Sequence, residues 1–392
     1  MGNDMSPEPV VEQTRSALAD LATRDLTSFT DAEIEQHAVA TAELLTLAEA
    51  AHVVALARLD TSGAWAPSGA RSAAHFVAWQ AHLPLSRAQG RQRCGRQLRV
   101  LPATSAAFAA GRITVDHVRL LAHAQGKAPE AFAYDEERLV ELAGSTLFSG
   151  FETIIRYWVH RHDPDGAEAD AASAFAQRRV DCSSTFEGTV VIDALLDPIT
   201  GAIVARELAR LEQQLFEADW AEARERSGDA ATVADLARTP KQRRADALRI
   251  MAERSAAKPV DATEARVLLQ VLVGHESVDR LCELSNGTVV TPGQLLPILD
   301  RADVERVIFD GPSKVIDVGV RRRLFSGATR TAIHARDRGC THPSCDEPLD
   351  RCQIDHVIPY CRGGLTTQDN GTDHCRFHNI QKGGRPPPGA AA

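Results

Sequence analysis

Residues whose side chains can do chemistry are concentrated in one segment of the chain, residues 330–384. Cys340 and Cys345 form one closely spaced pair, and Cys375 and His378 form a second pair about thirty residues later. Two such pairs, each in a tight turn, supply thiolate and imidazole donors that can close a tetrahedral shell around zinc. The spacing therefore predicts a structural zinc site made by these four residues.

Four further polar residues accompany the zinc pairs and are not needed by a purely structural site: Asp355, His356, Asn370 and Asn379. Hydrolysis of a phosphodiester needs a nucleophilic water, a base and positive charge near the phosphate. On an extended segment Asp355 and His356 point to opposite faces, so one can coordinate a metal while the other reaches a water. On a helix, Asn379 projects about 100° away from His378 and can face Asp355.

The donor types indicate two chemically separate metal sites. The carboxylate of Asp355 and the amide oxygen of Asn379 suit Mg²⁺ or another hard divalent ion, whereas the thiolates suit Zn²⁺. Asn370 lies in a turn sequence, residues 368–371, where its amide can hold the strand that carries His356 or simply form the turn. Cys352 and Cys361 lie outside the paired spacing and are predicted not to bind zinc.

Composition indicates an ordinary globular protein of two or three domains. The 392 residues are 44% apolar and 25% charged, and no run approaches the roughly 18 to 20 uncharged residues of a membrane span. The first thirteen residues are acidic and contain no apolar signal core. Five of the eight cysteines lie between residues 340 and 375, which favours metal binding over disulfides. We therefore predict a cytoplasmic protein with reduced thiols and no membrane partner.

Charge is distributed unevenly along the chain. The whole chain carries a net charge of -9, but from Val320 onward eleven Arg or Lys face seven Asp or Glu, giving about +4. A basic segment on an acidic body is typical of a protein that handles DNA, although solvated surface arginines give the same count. The predicted DNA contacts are Arg321, Arg322, Arg323, Arg336, Arg362 and Arg376.

Five further arginines lie between residues 87 and 99 on one predicted helix. Arginines on such a helix more often pair with acidic neighbours than with phosphates.

Helical patterns dominate the chain before this segment. Thr30 is a predicted N-cap, with Glu33 three residues later, and apolar residues recur at helical spacing until residues 61–63 end the helix. Further helices are predicted to begin at Asp197-Pro198 and Thr239-Pro240.

Two boundaries within the helical region are less regular. Pro164 and Gly166 are predicted to end the run of helices that continues through residues 150–166. Residues 220–236 lack a clear pattern and predict a mobile loop.

His117 and His123 lie on a predicted helix without partners at metal spacing, which favours packing or surface positions.

Strand patterns appear in two places. Residues 178–197 alternate with period two around a Glu187-Gly188 turn, with Val190 and Ile192 on one face, and predict a hairpin. Residues 266–274 predict a buried strand, and residues 303–310 and 313–319 predict two more.

The overall prediction is a mainly α fold with a small β-sheet near residues 179–196 and 265–319. A flexible segment, 1–28, precedes a mostly helical domain, 29–325. The zinc-stabilised module follows at 326–384, and residues 385–392 form a disordered tail.

At the Asp-His, Asn and Asn positions the sequence resembles the HNH endonuclease family, whose ββα-metal motif carries such a pair on its first strand. The resemblance implies that His356 is the general base, that Asp355 and Asn379 bind the catalytic ion, and that Asn370 is the central asparagine. Asp355 and Asn379 stand where histidine is commonest. It also implies that Cys340, Cys345, Cys375 and His378 form the structural zinc shell.

A second resemblance covers the helical region. Residues 63–122, 239–248 and 315–340 are similar to the actinobacterial domain of unknown function 222, which commonly precedes HNH modules. Together the resemblances imply a DNA endonuclease that leaves 5′-phosphate and 3′-hydroxyl ends. The alternatives are a catalytically silent zinc module that binds nucleic acid or a protein partner, and a helical interaction scaffold with an inactive C-terminal module.

Overall fold

A computed structural model describes residues 9–257, 267–273, 282–284, 288–299, 302–306, 325, 327–359 and 364–382. The fold is mainly helical with small sheets, as predicted. The helices are α1 Pro9–Ala22, α2 Asp31–Ser62, α3 Ala73–Gln80, α4 Leu85–Gln97, α5 Pro102–Ala109, α6 Val115–Lys127, α7 Pro129–Ser145, α8 Phe148–His162, α9 Pro164–Ala176, α10 Pro198–Ser227, α11 Pro240–Ala256, α12 Pro292–Leu299, α13 Gly327–Asp337 and α14 Arg376–Lys382. The strands are β1 Arg179–Ser184, β2 Val190–Leu195, β3 Val267–Val273, β4 Cys282–Leu284, β5 Val289–Val290, β6 Ala302–Arg306, β7 Cys352–His356 and β8 Gly371–Cys375.

The chain divides into two compact units. The first comprises residues 1–122 and 136–144, and the second comprises residues 123–135 and 145–392. The second unit therefore spans both sides of the domain boundary predicted at residue 325.

In the first unit, α2 is fixed at both ends by its sequence. The Thr30 hydroxyl accepts from the Glu33 amide while the Glu33 carboxylate accepts from Thr30, and Gly63 ends the helix in the left-handed conformation. Val53 and Leu56 of α2 are buried. The C-terminal half of α2 thus belongs to the core.

Arginines of α4 are paired with acidic residues of α2. Arg91 bonds Glu49, and the guanidinium of Arg96 bonds both carboxylate oxygens of Asp60 at 2.7 and 2.9 Å. Arg99 lies 3.7 Å from the same carboxylate. These three arginines therefore follow the pairing that the sequence favoured over phosphate binding.

One described helix, α2, is long and apolar enough to cross a membrane. Its most apolar window has a mean hydropathy of 1.5, with 17% of that window buried. Core helices of soluble proteins have the same length and composition, so these two properties do not establish a span.

Capping explains several helices of the second unit. Asp197 accepts from the amides of Ile199 and Thr200, both at 3.2 Å, and begins α10. Thr239 and Gln242 form a capping box at the start of α11. Both helix starts match the prediction.

Two predicted boundaries are wrong. Pro164 begins α9 instead of ending the helical run, because Asp163 accepts from the Gly166 amide and proline is well tolerated in the first turn. Residues 220–227 continue α10 and do not form a mobile loop. The predicted loop begins too early because surface helices with many charges carry a weak apolar pattern.

The sheets are small. The predicted hairpin is present as antiparallel β1 and β2, with Cys182 opposite Ile192. A second sheet has the strand order β5-β4-β3-β6, in which β3 pairs parallel to β6. β4, β5 and α12 were not predicted, and the strand predicted over 313–319 lies outside the described residues. The third sheet, β7 and β8, belongs to the candidate site.

Candidate metal and catalytic centre

The first cysteine pair lies in a turn that follows α13. Gly339 and Pro348 form a bridge, and the Cys340 amide donates to the Glu347 carbonyl at 3.0 Å. Within this turn the Cys345 amide donates to the His342 carbonyl, also at 3.0 Å. The turn therefore presents two thiols on one short loop.

The second pair lies where a strand becomes a helix. Cys375 is the last residue of β8, and His378 is in the first turn of α14. Residues three apart on a helix turn share a face, so the imidazole points back toward the strand end.

All four predicted zinc donors come together as one Cys₃His cluster, with their donor atoms within 4.8 Å of one another. His378 Nδ1 lies 3.4 Å from Cys340 Sγ and 3.3 Å from Cys375 Sγ, and the Sγ atoms of Cys345 and Cys375 are 3.8 Å apart. Ligands at about 2.3 Å for sulfur and 2.0 Å for nitrogen around tetrahedral zinc are roughly 3.5 to 3.8 Å apart. The cluster can therefore bind a metal such as zinc.

Cys352 is a neighbour of this cluster and not a member of it. Its Sγ contacts the carbonyl oxygens of Glu347 and Pro348 at 3.6 and 3.4 Å. Burial, reinforced by nearby thiolates and Asp373, raises the pKa of the Cys352 thiol. The other predicted non-ligand, Cys361, lies outside the described residues.

The catalytic candidates lie on the hairpin next to the cluster. β7 pairs antiparallel with β8, so that Asp355 is opposite Thr372 and His356 is opposite Gly371. Adjacent residues on β7 face opposite sides, and His356 is on the buried side with 8% of its surface exposed.

The imidazole of His356 is held in place by two neighbours. Its Nε2 lies 2.9 Å from Thr366 Oγ1, and its ring centroid lies 4.5 Å from that of Phe325. A hydroxyl and an aromatic ring together restrict the orientation of the imidazole. Neither contact was predicted, because neither residue belongs to a recognisable motif.

Because Gly371 has no side chain, the ring of Phe325 can pack against its Cα. A Cβ atom at this position would lie 2.3 Å from Ile333 Cδ1 and 2.7 Å from Phe325 Cε1. Distances this short are repulsive, so a larger residue would push Phe325 away from His356.

Gly371→Ala is therefore expected to destabilise the second unit by about 1–3 kcal/mol, the usual cost of overpacking. Thermal unfolding of the purified protein measures this loss. The matched control is Gly150→Ala on α8, where an added Cβ meets open space and alanine favours the helix. Equal melting temperatures for Gly371→Ala and wild type would contradict the packing argument.

Asn370 binds the segment that follows His356. Its Oδ1 accepts from the Ile358 amide at 2.8 Å, while its Nδ2 donates to the carbonyls of Ile358 at 3.1 Å and Leu365 at 2.7 Å. Gly364 also approaches closely, since a Cβ there would lie 1.8 Å from the Ile358 carbonyl oxygen. The side chain thus ties the two ends of the loop together, beyond forming a turn.

Asn379 projects from α14 toward β7. Its Nδ2 lies 3.5 Å from Gln353 Oε1, a distance at the limit of a hydrogen bond. Gln353 and Asp355 are two residues apart on β7 and therefore share a face. Asn379 and Asp355 consequently lie on the same side of the hairpin.

The predicted DNA-contacting arginines have different environments. The guanidinium of Arg336 bonds the carbonyls of Gln368 at 2.9 Å and Gly371 at 2.7 Å as well as the carboxylate of Asp337. Its donors are thus directed into the loop, and the DNA contact of Arg336 stays a prediction.

Arg376 has an exposed side chain at the start of α14. Partial burial and the positive charge of Arg243 lower the pKa of the Arg376 guanidinium. Arg321, Arg322, Arg323 and Arg362 lie outside the described residues.

Comparison with known proteins identifies the family. Residues 11–337 match the profile described as domain of unknown function, DUF222. The chain belongs to the DUF222 family. An uncharacterized protein of Mycobacterium tuberculosis is 27% identical over 309 residues, and one of Mycobacterium bovis is 27% identical over 302 residues. In both cases the match covers 72% of this chain and 65% of the relative, so the chain spans less than two thirds of those relatives' length.

A further uncharacterized Mycobacterium tuberculosis protein is 25% identical over 350 residues, which is 82% of this chain and 67% of the relative. No solved structure matches the chain. The DUF222 match ends at Asp337, immediately before the turn that carries Cys340 and Cys345, so all four residues of the Cys₃His cluster lie beyond it.

Contacts within this DUF222 chain join the matched region to the β7–β8 hairpin beside the Cys₃His cluster. His334 Nδ1 of α13 lies 2.9 Å from a carboxylate oxygen of Asp373, which has no exposed surface. Arg330 donates to His334 Nε2 at 3.0 Å. This group was not predicted, because His334 and Asp373 are far apart in the sequence and only the fold brings β8 to α13.

A buried carboxylate makes a second junction. Glu283 of β4 accepts from the hydroxyl of Tyr157 and lies 3.1 Å from a guanidinium nitrogen of Arg338. Burial and the hydrogen bond to Glu283 raise the pKa of Tyr157, which stays protonated as the donor. Arg338 directly follows α13. The start of the turn that carries Cys340 and Cys345 is therefore tied to β4 and α8.

Proposed function

We propose that this protein is a metal-dependent endonuclease that hydrolyses DNA phosphodiester bonds and leaves 5′-phosphate and 3′-hydroxyl ends. The observation that carries the proposal is the arrangement of β7, β8 and α14 beside the Cys₃His cluster, which brings Asp355, His356 and Asn379 onto one strand–strand–helix unit. This is the order of elements in the ββα-metal motif of HNH endonucleases, which the sequence resembles.

The side chains have distinct proposed roles. His356 takes the proton of the attacking water, because an imidazole is the side chain best suited to accept a proton near neutral pH. Asp355 and Asn379 hold a catalytic divalent ion, for which Mg²⁺ fits their oxygen donors. When bound, this ion supplies positive charge against the phosphate and the leaving oxygen. Asn370 positions the segment after His356 through its three hydrogen bonds.

Water activation depends on a fixed imidazole. Thr366 and Phe325 orient the His356 ring from two directions, so little reorientation is required before proton transfer. The zinc-binding cluster is separate in this scheme and holds β8 and α14 in place through the turn at Cys340 and Cys345.

The experiment that tests the proposal incubates the purified protein with supercoiled plasmid and Mg²⁺ or Mn²⁺. An endonuclease converts the plasmid to nicked and linear forms, and parallel substrates of duplex, nicked and single-stranded DNA define its preference. End-labelling then identifies the 5′-phosphate. A catalytically silent zinc module would shift the plasmid in a gel and leave it intact.

DNA binding is expected to depend steeply on salt, because phosphate contacts by arginine release counterions. Arg376→Ala should weaken binding and reduce the slope of log affinity against log salt by about one. Arg376→Lys keeps the charge and should largely preserve the slope. Fluorescence anisotropy with a labelled duplex between low and physiological salt measures both variants.

A salt titration and a control variant test this contact. Affinity that hardly changes with salt would mean that the basic segment is a solvated surface. A matched change at Arg249, an exposed arginine paired with Glu253 on α11, controls for a general loss of positive charge.

A different assignment makes the helical region a protein-interaction scaffold. The ion pair of Glu283 with Arg338 instead favours a helical region that holds the C-terminal module in place. This ion pair fixes the segment that leads into the turn carrying Cys340 and Cys345. Cleavage by the full chain, lost on Glu283→Ala and retained on Glu225→Ala at an exposed position of α10, would be evidence for this role.

A further inference from the structure

The metal centre contains one more thiol than its coordination shell needs. Cys352 is directly opposite the zinc donor Cys375 in the β7–β8 ladder. Residues directly opposite in an antiparallel pair place their side chains on the same face, with Cα atoms about 4.5–5.5 Å apart. Disulfides form across Cα separations of about 4.4–6.8 Å. The Cα separation expected for this pair therefore falls within the range in which disulfides form.

Cys352 differs from the three cysteine donors in one decisive respect. Its Sγ contacts backbone carbonyls of the first zinc turn and lies outside the donor cluster. A bond between two zinc donors would require both to leave the metal. Cys352 can react with an oxidised donor while the other three donors stay bound.

We propose that Cys352 is the resolving thiol of a redox switch, which forms a disulfide with Cys375 under peroxide and thereby releases the structural zinc. The proposal rests on zinc binding by the Cys₃His cluster and does not require nuclease activity.

The reaction takes two electrons from the two sulfurs. The Cys375 thiolate attacks peroxide, gains one oxygen as a sulfenic acid, and hydroxide leaves. Cys352 then gives up its proton and attacks the Cys375 sulfur as a thiolate, and the sulfenic hydroxyl leaves with that proton as water while the disulfide forms. A proton from solvent neutralises the hydroxide, so each hydrogen peroxide yields one disulfide and two waters.

The consequence for the metal follows from the donor count. A disulfide sulfur is a poor ligand, so the cluster keeps Cys340, Cys345 and His378 and loses its fourth donor. Three remaining donors bind zinc more weakly, and the hairpin itself stays paired because the new bond joins opposite residues. Reduction by a dithiol restores the original shell in the presence of zinc.

The test treats zinc-loaded full-length protein with hydrogen peroxide and follows zinc release with a chromogenic chelator. We expect about one zinc per chain to be released from wild type, and release to be at least about tenfold slower in Cys352→Ser. Cys182→Ser, which removes an exposed cysteine of β1, is the matched control and should behave as wild type.

Mapping of the disulfide keeps the test decisive if Cys352→Ser fails to fold. Non-reducing digestion of the oxidised wild type should yield Cys352 linked to Cys375. Trypsin leaves Cys352 and Cys361 in one peptide, so chymotrypsin, which cuts after Tyr360, is used as well.

Each result decides a specific point. A Cys345–Cys375 disulfide, or unchanged zinc release in folded Cys352→Ser, would overturn the switch and leave the zinc site intact. Protein that contains no zinc as purified would overturn the metal centre and the switch together. Plasmid cleavage is not used as a readout, so failure of the endonuclease proposal would leave this result unaffected.

Discussion

His356→Ala is expected to lower the rate of DNA cleavage by about 10³-fold, since general-base catalysis contributes roughly 10² to 10⁴. Zinc content and DNA affinity should be unchanged, because His356 lies outside the Cys₃His cluster and is not one of the residues predicted to contact the phosphates. Single-turnover cleavage of a labelled duplex isolates the chemical step from product release. Inductively coupled plasma measurement of zinc and anisotropy of a labelled duplex are run on the same samples.

The control separates chemistry from folding. His123→Ala removes an exposed histidine of α6 and should cleave as wild type. Asp355→Asn should differ from both histidine variants, because it removes a negatively charged ligand of the catalytic ion. We expect it to need a higher Mg²⁺ concentration for half-maximal rate and to lower the cleavage rate on the order of 10²-fold. If His356→Ala cleaves DNA at the wild-type rate, the proposed mechanism is wrong and a silent zinc module becomes the better account.

Local signals predicted the helices well where they were encoded within a few residues. The N-caps at Thr30, Asp197 and Thr239 all fall where helices begin, because each side chain bonds amides two or three residues away. The hairpin of β1 and β2 also followed from local alternation and a turn glycine. Such features need no knowledge of the rest of the fold.

Errors arose where tertiary context overrides local pattern. Residues 220–227 look irregular in sequence, yet the buried carboxylate of Asp219 pairs with the partly exposed Arg238 and ties α10 to the segment before α11. Residues distant in sequence supply this stabilisation, so the local sequence pattern alone predicts a loop. The small strands β4 and β5 were missed for the same reason, since two or three residues carry no periodicity.

The candidate site was also predicted only in part. Spacing alone predicted the four members of the Cys₃His cluster, because short intervals in tight turns restrict how donors can be arranged. The surroundings of the site could not be predicted. Phe325 reaches His356 only through the space at Gly371, and Arg336 turns inward because the carbonyls of Gln368 and Gly371 lie beside α13.

Loss of one zinc donor should have the largest effect on stability. Cys375→Ser removes a cluster member at the junction of β8 and α14, where the hairpin meets the helix. Structural zinc contributes about 10–16 kcal/mol of binding free energy in small domains, and that binding is linked to folding. We therefore expect the variant to lose its stoichiometric zinc and the module to unfold at a much lower temperature than in wild type.

The measurement combines zinc analysis with limited proteolysis, because the helical remainder of the chain contributes its own unfolding signal. New cleavage sites should appear between residues 338 and 382 in Cys375→Ser and in wild type stripped by a chelator. Zinc should restore protection to the stripped wild type, whereas Mg²⁺ should not, because thiolate donors select the softer ion. Cys182→Ser serves as the control, since it removes an exposed thiol far from the cluster in sequence. Full protection of Cys375→Ser without zinc would mean that the module folds through its apolar contacts alone, with Phe325 and Ile333 packed over the hairpin as its core.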